Sequence, residues 1–375
     1  MARHIDSIEL QNCVSRTHAN ESRQMIIDIH AHLVDRHYVD ELVADAGLVA
    51  QTTADGQTLL RRDGHTVLWY RESMFDVDAR LRDMDARAIG MRALCFSTPN
   101  VYEWRGARQI EMARYMNDVT AQLVRRHPDR FAGLGSLPLD DVPASLSELD
   151  RITGELGLHG VMIGSNVAGL PLNHPGFEAV WARIDALRLP VFEHPMFPAH
   201  TADMEEFELP LRVGFVFDTT LAAARLIYSG IFERYPNFPY IMAHTGGALL
   251  MILERLDNGY RLFPDCRAHI NRLPSEYAKR LYYDTASFYG PALTMAHGIV
   301  GPEHLLWGSD DPFIGADTRH VDALQISAAD KAKILGGNAA RLLGLGIESN
   351  TTGKGRGAAP PQAAAGRAAT IEEAK

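Results

Sequence analysis

Between about residues 25 and 345 the chain alternates short apolar runs with longer amphipathic stretches. The short runs are "MIIDIH" (25–30), "MRALCFST" (91–98), "RFAGLGSLP" (130–138), "HGVMIG" (159–164), "LPVFEH" (189–194), "PYIMAH" (239–244), "LYYDTAS" (281–287) and "HLLWGSD" (304–310). Runs of this length and composition predict buried β-strands. The stretches between them read as helices. "GARQIEMARYMNDVTAQLVRRHP" carries Ile110, Met112, Met116, Val119 and Leu123 at helical spacing, and "HPGFEAVWARIDALR" carries Phe177, Val180, Trp181, Ile184 and Leu187 on one face. Eight strands alternating with helices predict an α/β chain whose parallel sheet closes into a (β/α)8 TIM-type barrel. A doubly wound open sheet fits less well, because no glycine-rich phosphate loop follows the first strand. The segment 33–71 is too long for a plain strand-to-helix connection and reads as an insertion at the barrel mouth. No linker divides the middle. The expected organisation is an N-terminal extension (1–24), one barrel domain (25–348) and a disordered Gly-, Ala- and Pro-rich tail (349–375).

The polar residues that interrupt these runs fall at strand ends. His30 and His32 end the first strand, His194 the fifth, His244 the sixth and Asp310 the eighth. In a parallel barrel all C-terminal strand ends meet at one face, where active sites sit. Alternate residues of a strand point to the same side, so His30 and His32 can aim at one point while Ala31 aims away. A third imidazole and a carboxylate from the other strand ends complete a four-donor set that suits Zn²⁺ best and Mn²⁺ or Fe²⁺ less well. A lone His-x-His pair among 16 histidines carries little weight. The same coincidence on several strand ends carries much more. His127, His174, His200, His297, His304 and His320 have no such pattern and read as surface or structural.

Composition narrows the function further. The net charge of −10 over 375 residues argues against nucleic acid, whose phosphates call for clustered Lys and Arg. No apolar run is long enough to span a bilayer, and residues 1–24 have no apolar signal core. The three cysteines, Cys13, Cys95 and Cys266, are widely spaced and form no Cys-x-x-Cys pair, which fits a reducing, cytoplasmic setting.

Several motifs then carry a family resemblance: "IDIHAH", "FEHP", "AHTGGALLMILERLDN", "PSEYAKRLYYDTASF" and "LWGSDDPF…ILGGNAARLLGL". In this order, over roughly residues 25–345, they resemble the amidohydrolase superfamily. Within it they are similar to the branch of aminocarboxymuconate-semialdehyde decarboxylase and related aromatic-acid decarboxylases. The resemblance implies that His30, His32, His194 and Asp310 hold a single zinc ion and that His244 is the catalytic proton-transfer histidine. Arg255 is expected on a helix that starts after "HTGG", about three helical turns from His244 and so too far along it to reach the metal of its own barrel. The resemblance implies that it grips a substrate carboxylate from the neighbouring subunit of a homodimer. It also implies a second carboxylate-binding arginine in the insertion, for which Arg71 is the nearest candidate. Two positions depart from the branch: Thr245 replaces the first of three glycines after the histidine, and Asp311 stands where tyrosine is common. The motif favours Asp310 over Asp311 as the ligand, and successive strand residues face opposite ways. No lysine ends "HGVMIG", so a binuclear centre bridged by a carboxylated lysine does not fit.

The expected activity is metal-dependent, non-oxidative decarboxylation of a small aromatic or muconate-type acid. The alternative on the same residues is zinc-dependent hydrolysis of an amide, lactone or ring bond. The segments 33–71 and 197–216 should shape the pocket, the second as a lid that begins "FPAHTADMEEFELPLRV".

Overall fold

Each of the eight apolar runs forms a strand in the computed structural model, which describes residues 25–346. The strands are β1 (Ile27–Leu33), β2 (Met91–Phe96), β3 (Phe131–Gly135), β4 (Gly160–Gly164), β5 (Val191–His194), β6 (Tyr240–Met242), β7 (Tyr282–Asp284) and β8 (Leu305–Leu306). They pair in parallel in chain order from β1 to β8. The ring closes where the last strand meets the first. Ile29 N–H donates to Trp307 O at 3.0 Å, and Asp310 N–H donates to His30 O at 2.9 Å. The expected TIM barrel is thus the observed architecture.

All seven residues of β1 are buried, because its neighbours cover both of its faces. Ile27, Ile29, Ala31 and Leu33 join the hydrophobic core. Asp28, His30 and His32 alternate with them and carry the polar chemistry. Helices α1 (Arg36–Ala44), α2 (Val77–Ala86), α3 (Gly106–Arg126), α4 (Val142–Gly154), α5 (Glu178–Leu187), α6 (Phe215–Tyr228), α7 (Leu253–Leu262) and α8 (Gly290–Val300) accompany the barrel. Several start on aspartate caps: Asp35, Asp76 and Asp141 each accept a hydrogen bond from a first-turn amide. The two helical stretches singled out in the sequence correspond to α3 and to α5 with its leading turn.

The insertion after β1 contains α1 and a three-stranded antiparallel sheet, Val49–Thr52, Gln57–Arg62 and His65–Arg71. Asp63 and Gly64, both with positive φ, form its two-residue hairpin turn. One expectation is corrected. The helix bearing Arg255 does not begin directly after "HTGG": two short 3₁₀ turns, His244–Gly246 and Leu249–Met251, come first, and α7 starts only at Leu253. Left-handed φ values at Thr245, Gly246 and Gly247 break the helical path. A distance counted along a single helix from His244 to Arg255 therefore does not apply. The expected disordered segments 1–24 and 349–375 lie outside the described residues. No described helix is long and apolar enough to cross a membrane.

Candidate active site

His30 and His32 project from the end of β1 to the same side, and their Nε2 atoms lie 3.0 Å apart. His194, at the end of β5, packs edge-on against both rings. Asp310 closes the group, with Oδ1 at 3.4 Å from His30 Nε2 and 3.3 Å from His32 Nε2. One donor atom from each of the four residues lies within 4.8 Å of the others. His244 Nε2 stands 3.7 Å from the other oxygen of Asp310. The structure therefore brings together all five strand-end residues picked out in the sequence.

The donors are oriented from behind. His30 Nδ1 pairs with Asp284 Oδ2 at 2.6 Å, which turns its Nε2 inward. Nδ1 of His194 meets the Pro195 carbonyl at 2.9 Å, and Nδ1 of His32 faces the Cys95 thiol at 3.5 Å. Burial holds the His32 imidazole down at about 4, and burial with the neighbouring imidazoles holds His194 well below the ordinary histidine range. Both rings stay neutral, as a metal ligand requires. Burial opposes the charge on Asp310 as well, but the imidazoles of His30, His244 and His32 outweigh it and keep the carboxyl well below its usual range. Burial disfavours charge on His30 as well, but the carboxylates of Asp310 and Asp284 outweigh it and raise that ring above its ordinary value, so a bound cation would displace its proton. Three imidazoles and one carboxylate, each held by its own neighbours, fit a divalent transition metal.

Asp311 has a different environment from Asp310. Its carboxylate lies 2.8 Å from Arg80 and 3.2 Å from Arg92, and Arg92 also lies 3.4 Å from Asp28. Asp28 in turn accepts a hydrogen bond from Ser309 N–H at 2.9 Å. Arg80 donates to the backbone carbonyl of His32 at 2.7 Å. This buried ionic layer braces the ligand strands from below. His244, Thr245 and Asp310 all have left-handed φ near 55°, an unfavourable conformation for side chains with a Cβ. Contacts hold it in place: Thr245 N–H donates to Asp284 Oδ1 at 3.0 Å, and its hydroxyl donates to Ser287 at 2.8 Å. Gly247 has no such freedom to change, since a Cβ there would meet Val216 O at 2.4 Å.

Above the donors is a cavity of about 470 Å³ whose lining includes His194, His244 and Asp310. Its walls are aromatic. Phe313 packs against the His32 ring at 5.4 Å and against Trp69 of the inserted sheet at 5.4 Å, linking floor to rim. Phe215 and Phe288 complete the apolar side. The segment after β5 does line the cavity, through Leu211, Arg212, Phe215 and Val216. Glu208 ties this lid to the inserted sheet by accepting from Thr66 at 3.0 Å.

The two arginines named in the sequence lie elsewhere. Arg71 is on the inserted sheet and donates to the Asp55 carbonyl and carboxylate, both at 2.6 Å. Arg255 is exposed on α7 and has no ion-pair partner among the described residues. Glu254 pairs with Arg261, and Asp257 caps the turn at Ser275. Several residues in and behind the cavity were not picked out in the sequence. Asp284 had a signal, an acid inside an otherwise apolar strand. Trp69, Arg212 and Thr98 had none, because loops and hairpins place them. Thr98 lines the cavity with a buried hydroxyl that has no hydrogen-bond partner among the described residues.

Comparison with known proteins fits this geometry. The chain is 30% identical over 333 residues to the 2-amino-3-carboxymuconate-6-semialdehyde decarboxylase of Dictyostelium discoideum, covering 86% of this chain and 92% of that one. It is 30% identical over 285 residues to the gamma-resorcylate decarboxylase of a Rhizobium species, covering 72% and 87%. Its fold matches the crystal structure of 5-carboxyvanillate decarboxylase from Sphingomonas paucimobilis with a TM-score of 0.76 and 26% identity, over 85% of this chain and 99% of that one. The Amidohydrolase family profile matches residues 27–345, from the start of β1 to the end of the last helical turns. The motifs that form the cavity floor lie within that span, and by this match the chain belongs to the amidohydrolase family.

Proposed function

We propose that the protein is a non-oxidative decarboxylase of small aromatic or muconate-type carboxylic acids. It works with one divalent ion held by His30, His32, His194 and Asp310, zinc in preference to manganese or iron. The observation that carries this reading is the cluster of three imidazoles and one carboxylate at the floor of a cavity with aromatic walls. The matched relatives are carboxy-lyases, which favours C–C cleavage over hydrolysis.

When bound, the ion supplies positive charge that stabilises electron density developing on the substrate. The remaining steps belong to the chain. Trp69, Phe313, Phe215 and Phe288 sandwich the ring and exclude water. His244, lining the cavity beside Asp310, donates its Nε2 proton to the ring carbon that bears the carboxylate. The bond from that carbon to the carboxylate then breaks and CO₂ leaves. The electron pair of the broken bond restores the ring, and the donated proton occupies the vacated position. His244 recovers its proton from solvent through the open mouth.

Arg255 fits a role across a homodimer interface. Leu262, seven residues after it, shares its helix face and is exposed, and so is Met251 on the 3₁₀ turn before the helix. Phe217 and Leu221, one turn apart on α6, are exposed too. Exposed apolar side chains on these two helices, together with an unpaired arginine, have the composition of a subunit interface. In this arrangement each cavity receives Arg255 from the partner. Arg71 would contribute only if its contacts with Asp55 opened. The unpaired thiols of Cys95 and Cys266 fit a cytoplasmic location.

The test is elemental analysis of protein prepared without chelator, followed by a CO₂-release screen over ortho-hydroxybenzoates and muconate semialdehydes. One zinc-class ion per chain and stoichiometric CO₂ are expected. Hydrolysis of amides or lactones without CO₂ release would overturn the reading. Mixing Arg255→Ala with His32→Ala subunits should restore activity in hybrid dimers. Failure in mixtures shown to exchange subunits removes the trans role of Arg255.

A further inference from the structure

Arginines around the barrel mouth and floor are engaged with acids. Arg61 pairs with Glu208, Arg62 with Glu103, Arg71 with Asp55, and Arg80 and Arg92 with Asp311. Arg212 is the exception at the cavity. It lies on the π-helical turn Pro210–Gly214 that leads into α6, and it lines the cavity with Leu211 and Phe215 on either side. Among the described residues no carboxylate lies within ion-pair distance of its guanidinium. Glu208, one turn earlier on the lid, is held by Thr66 and Arg61 instead. Asp218, on the first turns of α6, is taken by Ser165 and Asn166.

A guanidinium presents a rigid fork of donors that matches a carboxylate. Here Arg212 is exposed and lines a cavity whose other walls are largely aromatic and aliphatic, and the fold gives its fork no anion. We propose that Arg212 is the residue of this chain that binds the substrate carboxylate, and that it does so from the lid of its own subunit. The substrate class it selects is a planar aromatic ring bearing a carboxylate on the lid side. This inference rests on the reading of the cavity as an aromatic-acid site. It also gives the lid a chemical purpose: the segment that covers the ring carries the charge that recognises the acid. The neutral product, having lost that carboxylate, loses its hold on the lid and is released.

The test is a binding comparison in the metal-loaded, full-length enzyme. The probes are salicylate and 2,6-dihydroxybenzoate against phenol and resorcinol, which differ from them only by the carboxylate. Arg212→Met keeps the apolar stem and removes the charge. The acids should bind the variant about 10–100-fold more weakly than wild type, as loss of a charge-assisted contact dictates. The phenols should change by less than about threefold, and metal content should stay the same. Arg212→Lys should recover part of the acid binding. Equal acid binding by wild type and Arg212→Met overturns the proposal. So does a loss shared equally by acids and phenols, which marks a displaced lid. CO₂ release is read separately. Wild type that binds the acids without releasing CO₂ removes the decarboxylase reading and leaves Arg212 to be judged on the binding ratio. Wild type that binds neither acid overturns both.

Discussion

Strand β1 and the inserted sheet that follows it are neighbours in the chain and opposites in construction. Every residue of β1 is buried, whereas every residue of Val49–Thr52 is exposed. In β1 the side of each residue is fixed by packing from both faces. A slip of one residue would put Ile29 where His30 must be, and would bury the imidazoles among core aliphatics. The inserted sheet has no such enforcement along its edge. Its polar side chains settle on local partners, as Arg71 does on Asp55. Chemistry that tolerates no displacement is thus carried by the barrel floor. The rim carries shape, through Trp69 and the lid, and adjusts to what it covers.

The contrast can be broken or sharpened by substitution. The largest effect is expected at His244. His244→Ala should lower turnover by about 10²–10⁴-fold while metal content stays near that of wild type. Complete loss of metal in this variant would make His244 a ligand. Next comes Asp284, which touches no substrate but orients His30 and supports Thr245. Asp284→Asn should weaken metal affinity by about 10–100-fold, measured by competition with a chelator. Unchanged affinity would show that the strand alone aims His30. Asp311→Asn acts on stability. With Arg80 and Arg92 left partly uncompensated, urea unfolding of the metal-free protein should show a loss of about 3 kcal/mol. A loss below about 1 kcal/mol would mean that Asp28 and Asp83 satisfy both arginines unaided. The smallest effect is at the rim: Arg71→Ala should leave KM and kcat within about twofold of wild type, as for other surface positions. A large rise in KM would show that the contacts with Asp55 open during binding.

How far the sequence reached follows the same division. All eight barrel strands were legible because each is a short apolar run flanked by turns, and their polar terminal residues pointed to the floor. The motif singled out Asp310, alternation set Asp311 on the opposite side, and the two do face different partners. The inserted sheet was read only as an insertion. Its signals were nonetheless present in Asp55-Gly56 and Asp63-Gly64, two hairpin-type dipeptides with matching backbone at the glycines. What hid them is the weak alternation of "QTLLRR", a strand half open to solvent. Arg212 was out of reach for a different reason. Its approach to the cavity depends on the path of a long lid, and no local period encodes that path. Arg255 marks a further limit, since the two short turns after His244 end the regular helix on which its distance had been reckoned.

The closure of the barrel has a consequence for how the protein comes into being. Asp310 N–H bonds to the carbonyl of His30, and Ser309 bonds to Asp28 across 281 positions of sequence. The seam that shuts the ring also brings Asp310 to His30 and His32, three of the four donors proposed for the ion. A nascent chain lacking its last strand has His30, His32 and His194 but no carboxylate to complete them. Three imidazoles can already hold a zinc-class ion, so on the proposed ligand set the carboxylate would tighten binding when the two ends meet. The ion would then act as a clasp on the finished ring, and its firm retention would mark a closed barrel.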